Sequence, residues 1–148
     1  MLEPLLRLLS VQLVRVRGDS MAPALRDGQW VLVDRRACRR RQPARFDIVR
    51  FEDPSRPGAW AVKRIVGLPA EQVVLRDGRL FVDGQPIREP HVDASIADAG
   101  THEWRPGPRQ YVVLGDNRLR STDSRRYGPV PLSAIRGRVL AGRTRQKG

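Results

Sequence analysis

Apolar positions along the chain fall in short runs, many with a period of two, separated by clusters of Gly, Pro, Asp and Arg. Residues 11–17 (VQLVRVR) alternate and predict a strand, followed by a tight Gly-Asp-Ser-Met turn at 18–21 and by Pro23. Further strands are predicted over 29–34 (QWVLVD), 46–52 (FDIVRFE) and 59–67 (AWAVKRIVG), the last being the longest. An Arg/Pro-rich loop over 36–45 and a Pro/Gly turn region over 53–58 divide them. Over 73–87 the run VVLRDGRLFVDGQPI sets Asp77-Gly78 between apolar segments, a favoured two-residue hairpin turn, and Asp83-Gly84 repeats the signal. Residues 88–108 are rich in Pro, Gly and acid, with few periodic apolar positions, and predict a protruding loop. A strand over 110–114 (QYVVL) runs into Gly115-Asp116-Asn117. One helical turn is predicted over 131–135, a last strand over 137–142, and a frayed RTRQKG tail. The chain therefore reads as mainly β: a single domain, 1–148, of antiparallel sheets. Its core spans about 11–78 and 109–142, with a β-hairpin and protruding loop over about 73–108.

A length of 148 residues with 40% hydrophobic positions suits one domain with a real core. The 12 Pro and 13 Gly favour a turn-rich β domain over a helical bundle. The net charge of +12 would suit nucleic acid or an anionic surface, but the arginines are spread along the whole chain, as solvated cations are. The one dense cluster, Arg35 to Arg41 (RRACRRR), reads as a solvated loop able to touch lipid headgroups or substrate. Aromatic residues make up 5%, which leaves few stacking surfaces, and no binding motif is present, so no nucleic acid is expected. Cys38 is the only cysteine and cannot form an intrachain disulfide. His91, His102 and Cys38 are too few and too poorly spaced for a metal site, and no cofactor is expected. No stretch reaches the roughly 20 apolar residues that span a bilayer. The N-terminal MLEPLLRLLSVQLV, interrupted by Glu3 and Arg7, reads as a short amphipathic helix running into a strand. It either packs on its own domain or lies on a membrane, so residues 1–14 and the 35–41 loop are the candidate membrane contacts.

Three segments carry candidate chemistry. In Gly18-Asp19-Ser20-Met21-Ala22-Pro23, a sharp turn exposes a serine hydroxyl and turns backbone N–H groups toward a developing oxyanion. The second segment is Val62-Lys63-Arg64-Ile65-Val66-Gly67. Of 28 basic residues only two are lysines, Lys147 in the tail and Lys63 inside an apolar strand. Arginine cannot give up its proton in a protein, whereas lysine can when desolvated. A chain that uses arginine almost everywhere but lysine here calls for an amine able to become neutral, with Met21, Val62 and Ile65 as sources of apolar surface. The third segment runs from Gly115 to Arg125, a polar loop after a strand. There Asp123 and Arg125 can pair, Arg64 can join them, and Ser121 or Ser124 can hydrogen-bond a nearby amine. Each segment alone reads more readily as an ordinary turn, a surface lysine or a polar loop, and only their combination points to chemistry.

In this order and at these intervals the three segments resemble the sequence boxes of bacterial type I signal peptidases. Ser20-Met21 matches the nucleophile box and Lys63 to Gly67 the base box. Gly115-Asp116-Asn117, with Ser121, Asp123, Ser124 and Arg125, matches the third. The likeness covers roughly residues 12–140, hairpin included. It implies a nearly all-β catalytic core, shared with LexA-like proteins, and a Ser-Lys dyad. Ser20 would be the nucleophile and Lys63 the general base. Ser121 would orient the amine, Asp123 would hold the loop through Arg125 and Arg64, and Asp116 and Asn117 would give support. Substrate would add as a strand between about 13–17 and 60–62, touching Val14, Val16, Gly18, Met21, Ala61 and Val62, with small residues preferred as in Ala-x-Ala. The implied partner is a precursor bearing a signal peptide, and the implied setting is membrane-associated with an extracytoplasmic active site. The absence of a spanning stretch leaves a soluble form open. Gly18 stands where many members place a hydroxyl that donates to the oxyanion, so the second donor is not identified by the likeness.

Three other readings compete. A soluble maturation protease with one dedicated substrate would use the same dyad. A self-cleaving LexA-like domain would need a cleavage site in its own chain, yet only 19 residues precede Ser20. A basic nucleic-acid-binding module rests on charge alone.

Overall fold

A computed structural model describes residues 4–5, 9–93 and 98–140. Among these residues there are eleven strands: β1 (Val11–Arg15), β2 (Trp30–Asp34), β3 (Ile48–Glu52), β4 (Trp60–Gly67), β5 (Val73–Arg76), β6 (Arg79–Val82), β7 (Gln85–Ile87), β8 (Thr101–Trp104), β9 (Gln110–Leu114), β10 (Val130–Pro131) and β11 (Ile135–Val139). Among the residues from 9 onward that are described, two one-turn α-helices accompany them, α1 (Ala37–Arg40) and α2 (Ser124–Tyr127). The strands form a seven-stranded sheet in the order β1-β2-β11-β3-β4-β9-β10 and a four-stranded sheet in the order β7-β6-β5-β8. All pairings are antiparallel.

The alternating runs become half-buried strands. In β4, Ala61, Lys63 and Ile65 point inward while Trp60, Val62 and Arg64 stay more exposed. One core cluster packs Val49, Phe51, Ala61 and Ile65 against Tyr111, Val113, Val130 and Ile135. A second joins the two sheets through Val66, Val112 and Leu114 on one side and Val73, Leu75, Leu80 and Trp104 on the other. Both Asp-Gly pairs close hairpins, with positive φ at Asp77, Gly78, Asp83 and Gly84, as the favoured two-residue turn requires.

Several predicted boundaries move. The 88–108 segment is not loop throughout, because β8 pairs with β5. Its sequence THEW buries only Trp104, so an edge strand that is polar outside gives little periodic signal. The 36–45 loop contains α1. The strand expected over 46–52 begins at Ile48, because Phe46 turns at φ 73. The predicted helical turn is a 3-10 turn, Leu132–Ala134. The last strand begins at Ile135 and carries a register shift before Gly137. Most of the N-terminal helix expectation, and the tail, lie outside the described residues.

Candidate active site

The chain leaves β1 still tied to the β2 side, through Val16 N–H to Gln29 O at 2.7 Å and Gly28 N–H to Val16 O at 2.8 Å. It then turns at Gly18, where φ is 81, and the Gly18 N–H donates to Asp27 Oδ1 at 2.8 Å. Val16, Met21 and Leu25 are buried with Val31 and Val33 in a third core cluster, which anchors both ends of the turn. Ser20 stands between these anchors, half-buried. Its backbone N–H makes no hydrogen bond among the described residues.

Lys63 reaches the turn from β4, and its Nζ donates to Ser20 Oγ at 2.6 Å. The lysine is 7% exposed. Burial is the largest influence on its amine and pushes it below the ordinary lysine range. Asp123 and Asp53 pull it back up, whereas Arg56 and Arg125 add to the lowering. Burial by itself would raise Asp123, but donors from Arg125, the Gly115 N–H and Ser121 hold it below the usual carboxylate range. The Tyr127 hydroxyl is buried without a partner among the described residues, and burial, followed by Asp123 and Asp53, raises it.

The loop after β9 locks onto the Ser20 turn. Asn117 N–H donates to Ser20 O at 3.0 Å, and Asn117 Nδ2 donates to Asp19 O at 3.1 Å. Gly115 is where the two segments cross. A Cβ there would stand 2.6 Å from Ser20 O and would overlap the Ser121 side chain. Ser121 Oγ donates to Asp123 Oδ2 at 2.8 Å, and the same carboxylate accepts from Gly115 N–H at 2.9 Å and from Arg125.

Two expected pairings differ. Ser121 meets Asp123, and no hydrogen bond joins it to Lys63. Arg64 does not join Asp123; it makes a bidentate pair with the buried Asp116, at 2.9 and 2.7 Å, and donates to Phe46 O. Even register explains the second. Arg64 alternates with Lys63 and points to the other face of β4, opposite Leu114, whose next two residues are Gly115 and Asp116. Beyond that pair lies a further polar cluster that sequence reasoning missed: Arg118 pairs with Glu89 at 2.6 Å, and His91 packs beside both Glu89 and Asp116. Asp53 was also missed. It reads as a turn former, and it is one, accepting from Ser55 N–H and Oγ at 2.8 and 2.6 Å.

A groove of about 770 Å³ runs past the Ser20–Lys63 contact, walled by 14–21 on one side and 59–63 on the other. Val14, Val16, Gly18, Met21, Ala61 and Val62 all line it. β1 pairs only with β2, and β4 pairs with β9 only from Arg64 onward, so the walls offer two unpaired strand edges among the described residues. Cys38 lies apart from the groove, and burial pushes its thiol up to about 11. No helix among the described residues is long and apolar enough to cross a membrane, and they hold no metal-ligand cluster.

The family model for signal peptidase, peptidase S26, matches residues 2–142. Signal peptidase I V of Bacillus subtilis is 37% identical over 131 residues, 78% of this chain and 76% of that relative. Signal peptidase I of Leptolyngbya laminosa is 32% identical, over 84% of this chain and 64% of its own length. The chain thus spans 64–76% of the length of these two curated relatives. The crystal structure of a signal peptidase I from Enterococcus faecalis superposes with a TM-score of 0.57 at 32% identity, covering 66% of this chain and 96% of that one.

Proposed function

The chain belongs to the signal peptidase family, peptidase S26, a family of serine endopeptidases, and from that premise we propose that it removes signal peptides from precursor proteins with Ser20 as nucleophile and Lys63 as general base. The observation that carries this reading is the 2.6 Å contact between Lys63 Nζ and Ser20 Oγ, made by a lysine that burial biases toward the neutral amine. In its charged state the amine donates to the hydroxyl. Once neutral, it accepts the hydroxyl proton across the same separation.

A precursor segment enters as a strand between the free edges of β1 and β4, hydrogen-bonding by backbone and setting alternate side chains into the groove. Ala61, Val62, Val14, Val16 and Met21 give the groove an apolar lining, which suits the small apolar side chains of an Ala-x-Ala site. As Ser20 Oγ attacks the scissile carbonyl its proton passes to Lys63, and the Ser20 N–H, without another partner among the described residues, is open to donate to the developing oxyanion. Lys63 then protonates the leaving amine, and a water activated by the same amine releases the acyl-enzyme. Asp123, held by Arg125, Ser121 and Gly115, positions the loop behind the dyad. Ser121 acts through Asp123, and Arg64, Asp116 and Asn117 hold the frame. Membrane association through residues 1–14 and the 35–41 loop, with an extracytoplasmic active site, belongs to the same reading.

The test is cleavage of a secretory precursor with an Ala-x-Ala site, in detergent, by wild type and Ser20→Ala. Cleavage after the second alanine by wild type alone is the expected result. Equal cleavage by both proteins would remove Ser20 from the nucleophile role, and cleavage by neither would remove the substrate assignment.

A further inference from the structure

The groove is lined by five arginines, Arg15, Arg17, Arg50, Arg56 and Arg120, against two carboxylates, Asp19 and Asp53. Of the five, only Arg56 has a carboxylate partner among the described residues, Asp53 at 3.6 Å. Asp53 is itself already engaged by Ser55. Arg50 stacks its guanidinium 4.0 Å above the Trp60 ring and has no carboxylate partner. Arg15, Arg17 and Arg120 are exposed and make no ion pair or side-chain hydrogen bond among the described residues.

Outside the groove the described arginines divide: some, such as Arg26, Arg79 and Arg126, likewise have no carboxylate partner among the described residues, while others are paired. Arg40, Arg45, Arg64, Arg118, Arg125, Arg136 and Arg138 all face a carboxylate. Around the groove cations outnumber carboxylates, and its exposed, unpaired guanidiniums set a positive field along the path of a bound peptide. A peptide strand that sets alternate side chains into the groove turns the intervening ones toward its rim. Resting on the signal-peptidase reading above, we infer that these unpaired arginines select precursors carrying acidic side chains at the rim-facing positions, the second and fourth residues before the cut. Carboxylates there gain the partners that the groove's arginines lack, and cationic side chains meet like charge.

A precursor series with a fixed Ala-x-Ala site and Glu, Gln or Lys at those two positions tests this, with kcat/KM read in detergent at about 50 mM and about 500 mM salt. Wild type is expected to favour the Glu member over the Lys member by about 10-fold at low salt, and the ratio should shrink toward one at high salt. In the Arg15→Gln/Arg17→Gln/Arg120→Gln variant the ratio should fall near one already at low salt. Cleavage of the Gln member with Glu and Lys members equal in wild type overturns the inference and leaves the signal-peptidase reading standing. A Glu preference that persists in the triple variant also overturns it. Failure to cleave any member overturns the signal-peptidase reading, and this inference with it.

Discussion

Replacing Gly115 by alanine tests how tightly the third segment is set against the Ser20 turn, the nucleophile in the proposed reading. The added Cβ would stand 2.6 Å from Ser20 O and would overlap both heavy atoms of the Ser121 side chain nearest to it. A carbon rests about 3.5 Å or more from such neighbours, so a gap of nearly an ångström must open on the Ser20 side. The Ser20 carbonyl cannot move alone, because it accepts from Asn117 N–H, and Gly115 N–H is fixed to Asp123. Overpacking of this kind costs about 1–3 kcal/mol. For a domain of this size that lowers Tm by roughly 3–10 °C. Displacing a reacting group by about 1 Å costs on the order of 100-fold in rate. The expected result is therefore a modest loss in thermal melting with a disproportionate fall in kcat on an Ala-x-Ala precursor. Gly84→Ala is the control. It strains a turn at φ 79 with nothing within 4 Å of the new Cβ, far from the groove, and should lose stability while keeping kcat. Wild-type kcat in Gly115→Ala would refute the claim that this crossing positions Ser20.

Lys63→Arg keeps the charge and should abolish turnover, because guanidinium cannot accept the serine proton; retained turnover in single-turnover assays would remove Lys63 as the base. Asp53→Asn removes a carboxylate that partly offsets the lowering of the Lys63 amine by burial, so the acidic limb of the kcat/KM profile should move to lower pH, and an unmoved or raised limb would exclude this electrostatic influence. Because Lys63 binds its proton less tightly when folded than when unfolded, the unfolded chain carries more protons above the folded pKa. Stability from this group thus rises with pH between the lowered folded value and the ordinary value of 10.5, and Lys63→Met should remove that slope and raise Tm below the window. Ser121→Ala takes one donor from the buried Asp123 carboxylate and should cost about 1–2 kcal/mol in denaturant unfolding with a smaller loss of kcat than Lys63→Arg, whereas equal losses would mean that it touches the amine directly.

The strands that hold the dyad were legible because their apolar positions alternate over five residues or more and end at Gly, Pro or Asp. The two Asp-Gly turns were legible because only small or Asx residues take the needed positive φ. β8 was not, since an edge strand with one buried side chain looks polar. The start of β11 was hidden by the irregularity before Gly137, which interrupts the period of two. At the site, the rarity of lysine marked Lys63, and the three boxes marked the segments that come together around it. The partner choices of Ser121 and Arg64 were not readable, because they depend on which face of a strand meets which loop. Asp53 gives a local signal only for its turn. Its nearness to Lys63 follows from the β3–β4 pairing, in which Glu52 faces Trp60 and Asp53 begins the connection.

The two carboxylates near Lys63 raise a question of sign, because either one as a lone charge would keep the amine protonated and useless as a base. Neither is alone. Asp123 is paired with Arg125 at 2.9 Å, and Asp53 faces Arg56 at 3.6 Å. From the amine, each pair is a dipole whose negative end is partly cancelled by its own guanidinium, and both arginines act on Lys63 in the lowering direction. Burial is then left as the dominant influence, and it favours the neutral form. The carboxylates can therefore serve as anchors, Asp123 for Ser121 and the Gly115 N–H, and Asp53 for Ser55, without fixing a proton on the base. On this argument Arg125 and Arg56 belong to the tuning of the dyad as much as to the scaffold, although neither touches it.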